Sequence, residues 1–160
     1  MDLKVLNPEI QQFIKANVDK NISKLALQKN PFPDVEWIAV LNQIEAKTKA
    51  KLKLPTWFAT TNIVYPSKIS VEQTSSEKTA AYKASLISGE SLIDLTGGFG
   101  VDDFYFAKTM KTVAHCEINP ELSQMVEHNL EQLNVKNISC HSGDSLETLA
   151  KSNSKWDWIY

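Results

Sequence analysis

The sequence predicts an α/β fold, with a parallel sheet in the second half of the chain and a helical region before it. Three observations carry this reading. Four short apolar runs, at 91–95 (SLIDL), 112–117 (TVAHCE), 137–141 (NISCH) and 156–160 (WDWIY), are strand candidates. Helix-length segments separate them, and that alternation belongs to βαβ units, whose strands run parallel. Finally, three of the five glycines, Gly97, Gly98 and Gly100, fall within four positions between the first strand and a helix. There they permit a tight turn and let a ligand approach the backbone.

The N-terminal region, 1–73, reads as helices. Ile10, Phe13, Ile14 and Val18 stand at helical spacing behind Pro8. Trp37, Ile38, Leu41, Ile44 and Thr48 form a second amphipathic face, opened by Asp34 as the expected N-cap. The lysine-rich run from Lys47 to Pro55 is read as a helix end or a short basic edge, a solvated face before a nucleic-acid patch. Segment 56–73 carries β-type stretches around 63–65 and 69–71 and is expected to connect the two parts.

From residue 74 onward the signals are local. Thr74 and Glu77 fit a capping box for a helix carrying Ala80, Ala81, Ala84 and Ile87 and ending near Gly89. After the second strand, Asn119 is an N-cap and Pro120 the first helical residue. Leu122, Met125, Val126, Leu130 and Leu133 form the buried stripe.

Bulk properties narrow the function classes. No apolar run approaches the roughly 20 residues of a membrane-spanning helix, and the mixed segment MDLKVLNPEIQQF carries no export or transit signal, so a cytoplasmic location is expected. Cys116 and Cys140 are expected as reduced core residues, and His115, His128 and His141 have no metal-ligand spacing, so no metal is assigned. All 17 basic residues are lysine in a chain of net charge −2. An RNA-binding surface would therefore lack the bidentate fork of arginine.

The glycine turn discriminates between ligands. A dinucleotide site wants G-x-G-x-x-G, but Gly98 and Gly100 are followed by Asp103, and Asp102 and Asp103 add negative charge where a pyrophosphate would lie. S-adenosylmethionine, cationic at its sulfonium and ammonium, suits a carboxylate at the end of the first strand, here Asp94. Glu117, 23 residues further on, is placed to accept ribose hydroxyls. Asp144 is placed for the adenine amine, and Ile118 for packing against the ring. Each has a plainer role as a helix cap or helix-dipole charge. Together they put carboxylates after three successive strands at one sheet edge, which is where open parallel sheets bind ligands.

Residues 94–102 (DLTGGFGVD) resemble the first motif of class I S-adenosylmethionine-dependent methyltransferases, with Thr96 in place of the usual first glycine. The D-x-T-x-G-x-G-x-D turn is similar to that of rRNA guanine-N2 methyltransferases. Segments 72–77 (EQTSSE), Tyr82-Lys83 and 117–120 (EINP) resemble bacterial methyltransferases with a THUMP-like domain at the C-terminal end. The resemblance spans residues 50 to 160. It implies a Rossmann-type sheet of order 3-2-1-4, S-adenosylmethionine as cofactor, and Asp94, Thr96, Gly97, Gly98, Gly100, Glu117, Ile118, Asp144 and Gln73 as the cofactor site. Gln73 would reach the methionine carboxylate or cap the next helix. The families also imply an RNA substrate and a catalytic Asp/Asn-Pro motif directly after the fourth strand, beyond Tyr160. The expected organisation is a helical region and connector at 1–73, then the first half of a methyltransferase domain at 74–160 whose exposed fourth strand invites self-association. The alternatives are a non-catalytic nucleotide-binding or interaction module of the same fold and a nucleotide-dependent oxidoreductase.

Overall fold

Asparagine side chains cap the first two α-helices. In the computed structural model, which describes residues 3–152 and 155–160, a 3₁₀ turn at Leu3–Leu6 leads to Asn7, whose side chain accepts the Glu9 N–H at 2.9 Å. Pro8 then takes the first position of α1 (Pro8–Ala16), which buries Ile10 and Ile14. Asn21 caps α2 (Ile22–Ala26) through the Lys24 N–H. The chain divides into two compact units, Met1–Gln73 and Thr74–Tyr160.

The first unit is built around α3 (Trp37–Lys53), which buries Val40, Leu41, Gln43, Ile44, Ala46 and Ala50. Two expectations are corrected here. The N-cap is Glu36 rather than Asp34, whose carbonyl instead accepts Lys4 Nζ at 3.1 Å. Ile38 is 61% exposed, because two residues, about 200° of helical rotation, separate it from Val40. The lysine-rich run continues α3 to Lys53, before α4 (Pro55–Ala59).

The β-type stretches of 56–73 form no strands. At Ile63–Tyr65 the ladder is replaced by one side chain: the buried Gln43 amide donates to the Tyr65 carbonyl at 2.7 Å and accepts the Tyr65 N–H at 2.9 Å. With those groups satisfied, the segment buries Ile63, Val64 and Tyr65 without a partner strand. The second stretch is helix α5 (Lys68–Gln73), where the Ser67 hydroxyl accepts the Ser70 N–H and Val71 is the buried residue.

In the second unit, α6 (Glu77–Ser85) is capped by Ser76, which accepts the Thr79 N–H at 3.1 Å, and not by Thr74. Glu77 sits at the first helical position, too early to complete a capping box. It instead accepts the Tyr105 hydroxyl at 2.8 Å.

Strands β1 (Ser91–Asp94), β2 (Thr112–Glu117), β3 (Ile138–Ser142) and β4 (Trp158–Ile159) alternate with α7 (Val101–Phe106), α8 (Pro120–Gln132) and α9 (Ser145–Lys151). All pairings are parallel, in the order β3-β2-β1-β4. This is the strand order expected from the sequence.

Alternate residues serve opposite faces of the sheet, as the strand period requires. Leu92 and Val113 join Ala84, Phe106 and Met110 on one face; Ile93, Ala114 and Cys116 meet Leu149 and Trp156 on the other. In α8, Asn119 caps through the Glu121 and Leu122 N–H groups, but the buried stripe is Ser123, Val126, Asn129 and Leu130, with Leu122, Met125 and Leu133 only half-buried. β4 is shorter than expected because Asp157 turns its carboxylate to the Glu90 and Ser91 N–H groups. Cys116 and Cys140 are free thiols, the first buried and the second half-buried. Among the described residues no helix is long and apolar enough to cross a membrane, and no cluster of three or more His, Cys, Asp or Glu could hold a metal.

Candidate functional site

The order β3-β2-β1-β4 reverses direction at β1, which puts the switch point of the sheet between β1 and β4, and the carboxyl ends of β1 and β2 lie directly beside it. The register puts Asp94 opposite His115, and Glu117 opposite Ser142. The carboxyl ends of three strands thus meet at one edge.

The turn between β1 and α7 is held by a chain of bonds. Asp94 Oδ1 accepts the Thr96 N–H at 2.7 Å, the Gly97 N–H donates to the Cys116 carbonyl at 2.9 Å, and the Gly98 N–H donates to Glu117 Oε2 at 3.2 Å. Glu117 Oε1 accepts the Asn119 N–H at 2.8 Å. One carboxylate therefore fixes both the glycine turn and the start of α8. Two glycines are demanded sterically. A Cβ on Gly97 would lie 2.1 Å from His115 Nδ1, and one on Gly100, at φ +72°, would lie 2.8 Å from Val126 Cγ1.

Beside this turn opens a cleft of about 330 Å³. Of the residues named from the sequence, Thr96, Glu117, Ile118 and Asp144 line it, together with Leu95, Cys116, Gly143, Ser145 and Leu146. Ile118 and Leu146 are 76% and 66% exposed. They give the cleft two apolar surfaces beside two carboxylates. Asp144 caps α9, accepting the Leu146 and Glu147 N–H groups through Oδ1.

The remaining named residues stand elsewhere. Gly97, Gly98 and Gly100 form the turn and do not line the cleft. Gln73 closes α5 in the first unit. Asp94 is 2% exposed. Burial first, and then the neighbouring Asp103 charge, push its carboxyl up to about 7, against the opposing pull of the Thr96 N–H and His115.

Sequence reasoning missed what lies under the turn. His115 Nδ1 and Asp103 Oδ2 are 2.6 Å apart, both fully buried. Asp102 is ion-paired with Lys83 at 3.0 Å and accepts the Ser75 hydroxyl at 2.9 Å. Neither aspartate therefore presents a free charge to a ligand, which removes the electrostatic part of the argument against a pyrophosphate. What remains against it is geometric: the third glycine position holds Asp103, buried against His115, and the Gly98 N–H is engaged by Glu117. The signal for the pair was a histidine at an inward position of a strand otherwise apolar there.

No family model matches the sequence, and no curated protein does. Among solved structures, a candidate methyltransferase from Porphyromonas gingivalis W83 superposes with a TM-score of 0.77 at 29% identity, over 93% of this chain and 37% of that one. The second unit has the Rossmann-like methyltransferase fold. Wild-type Trm5b from Pyrococcus abyssi matches at 26% identity and a TM-score of 0.45, over 61% of this chain and 27% of that one. The M. jannaschii tRNA m1G37 methyltransferase matches at 16% and 0.44, over 54% and 27%. The fold assignment rests on the first of these. This chain spans 37% of the length of that protein.

Proposed function

We propose that the chain is the cofactor-binding part of an S-adenosylmethionine-dependent methyltransferase that acts on RNA. The observation that carries this reading is the convergence of Thr96, Glu117, Ile118 and Asp144 on one cleft at the carboxyl edge of the sheet, across the ends of β1, β2 and β3. The residues fit the nucleoside end of the cofactor. Each Glu117 oxygen accepts one backbone N–H and keeps a lone pair for a ribose hydroxyl. Ile118 and Leu146 supply apolar surface for the adenine, and Asp144 an acceptor for its amine.

When bound, the cofactor supplies an electrophilic methyl group on its sulfonium. The residues of this chain would hold and orient it, so that their contribution is positional. Asp94 acts through the turn it braces. Gln73 enters the proposal through the family resemblance alone, and so does the RNA substrate, which rests on the D-x-T-x-G-x-G-x-D turn. The length of the P. gingivalis protein relative to this chain supports assigning the catalytic groups to further sequence.

Calorimetric titration of S-adenosylmethionine into the chain and into Glu117→Gln tests the reading. Hydrogen bonds to a charged group contribute about 1.5–3 kcal/mol, so the variant should bind at least tenfold more weakly while its circular dichroism stays that of the wild type. Equal affinity in the two proteins would exclude Glu117 from the site.

A further inference from the structure

The lysines at the end of α3 have separate fates. Lys49 pairs with Glu72 at 2.9 Å, Lys51 pairs with Asp19, and Lys53 donates to the Glu72 carbonyl. Lys47 has no carboxylate partner among the described residues. Its half-buried ammonium donates to the Phe58 carbonyl at 3.3 Å and stands 5.2 and 5.6 Å from the centres of the Phe58 and Tyr65 rings.

Lys47 also lines a cavity of about 350 Å³ in the first unit, with Lys15, Phe58, Thr60, Thr61 and Asn62, and no residue lining this cavity is acidic. Two ammonium groups thus share a concave site without a counter-charge. Burial, and then the charge of Lys15, push the Lys47 ammonium below its usual range. The aromatic faces offset only part of that cost. The Thr60 hydroxyl in the lining already donates to the Thr56 carbonyl at 2.8 Å, and the neighbouring Thr61 adds a neutral hydroxyl of the kind that suits an oxyanion.

We propose that this cavity binds a phosphate group of a nucleic-acid strand, with Lys15 and Lys47 as its charged ligands. The charge balance of the chain points the same way. Residues 1–73 carry ten lysines against seven Asp and Glu, a net +3, whereas residues 74–160 carry seven against twelve, a net −5. The positive excess lies on the unit that holds the cavity. Phe58 adds a half-buried ring of the kind on which unpaired bases stack. Naming RNA as the strand rests on the proposed function; the anion site does not.

The test is anisotropy of a labelled, short single-stranded RNA titrated with the full chain between about 50 and 200 mM salt. Each lost phosphate contact should lower the slope of log K against log salt by about 0.7. That loss is expected in Lys47→Gln and in Lys15→Gln, and not in Lys24→Gln. Lys15 is exposed, so its variant reads the site even if Lys47→Gln fails to fold. Calorimetry with inorganic phosphate separates the sources. Phosphate binding that is lost in Lys15→Gln, without RNA binding, keeps the anion site and overturns the nucleic-acid strand as its source. RNA slopes unchanged in both variants, with no phosphate binding, overturn the proposal. S-adenosylmethionine affinity should be the same in the lysine variants and the wild type, so a failed cofactor titration counts against the proposed function alone.

Discussion

His115 and Asp103 meet beneath the glycine turn at 2.6 Å, both without solvent exposure, and the imidazole fills the space that a side chain on Gly97 would need. The turn rests on a polar pair that cannot yield into solvent. Gly97→Ala should therefore cost about 1–3 kcal/mol, the range for overpacking a filled interior. Urea unfolding should show a lower midpoint at unchanged m. Combining it with His115→Ala should cost less than the sum of the two single changes, because the second substitution removes the obstacle. Strict additivity would mean that the turn yields at some other point.

The raised Asp94 carboxyl makes a prediction about pH. Its value moves from the ordinary 3.8 to about 7 in the fold, through burial and the nearby Asp103 charge. The folded state therefore holds a proton that the unfolded state releases from about pH 4 upward. The associated stability is complete below pH 4 and is lost as pH rises to about 7. Asp94→Asn keeps an oxygen for the Thr96 N–H and removes the titration. The wild type should lose stability relative to this variant between pH 4 and 7, as read by urea midpoints. A constant difference across that window would contradict the assignment.

The sequence made the sheet legible because its signals are local. The 112–117 run became β2 without adjustment, and Asn119-Pro120 began α8 as the capping rule requires. The places of Glu117, Ile118 and Asp144 at the cleft were legible for the same reason, since Glu117 ends β2, Ile118 follows it and Asp144 stands two residues after β3. What stayed hidden depends on tertiary partners. Ile63–Tyr65 has real β-character, but a glutamine 22 residues earlier satisfies its backbone. Asp103 was read as a helix-start charge, yet α7 turns it inward onto a histidine of β2. The lysine run looked uniform until folding paired Lys49 and Lys51 and left Lys47 at a cavity.

Lys83 should be the surface-proximal lysine of the second unit whose loss is felt. Its ammonium reaches Ser75 Oγ at 3.0 Å, Asp102 Oδ2 at 3.0 Å and Tyr160 Oη at 2.5 Å, tying α7 to the end of β4. Asp102 is mostly buried, so Lys83→Met leaves a carboxylate short of its partner and should cost about 1–3 kcal/mol. The exposed Lys111–Glu90 pair offers the contrast: Lys111→Met should change stability by less than about 1 kcal/mol, and any effect should fade with salt. Thermal unfolding of the two variants at low and high salt would separate them. Equal losses would remove the special standing of Lys83.

Asp144 caps α9 and has a proposed second duty in the cleft, and two substitutions separate them. It accepts the Leu146 and Glu147 N–H groups through one oxygen, a cap that serine can replace and alanine cannot. Asp144→Ala should lose about 1 kcal/mol of stability and Asp144→Ser much less. Both lose the carboxylate that would accept the adenine amine, so both should weaken S-adenosylmethionine binding by a similar factor, despite their different stabilities. If Asp144→Ser binds the cofactor as tightly as the wild type, the carboxylate serves α9 alone and the adenine amine must find its acceptor elsewhere in the cleft.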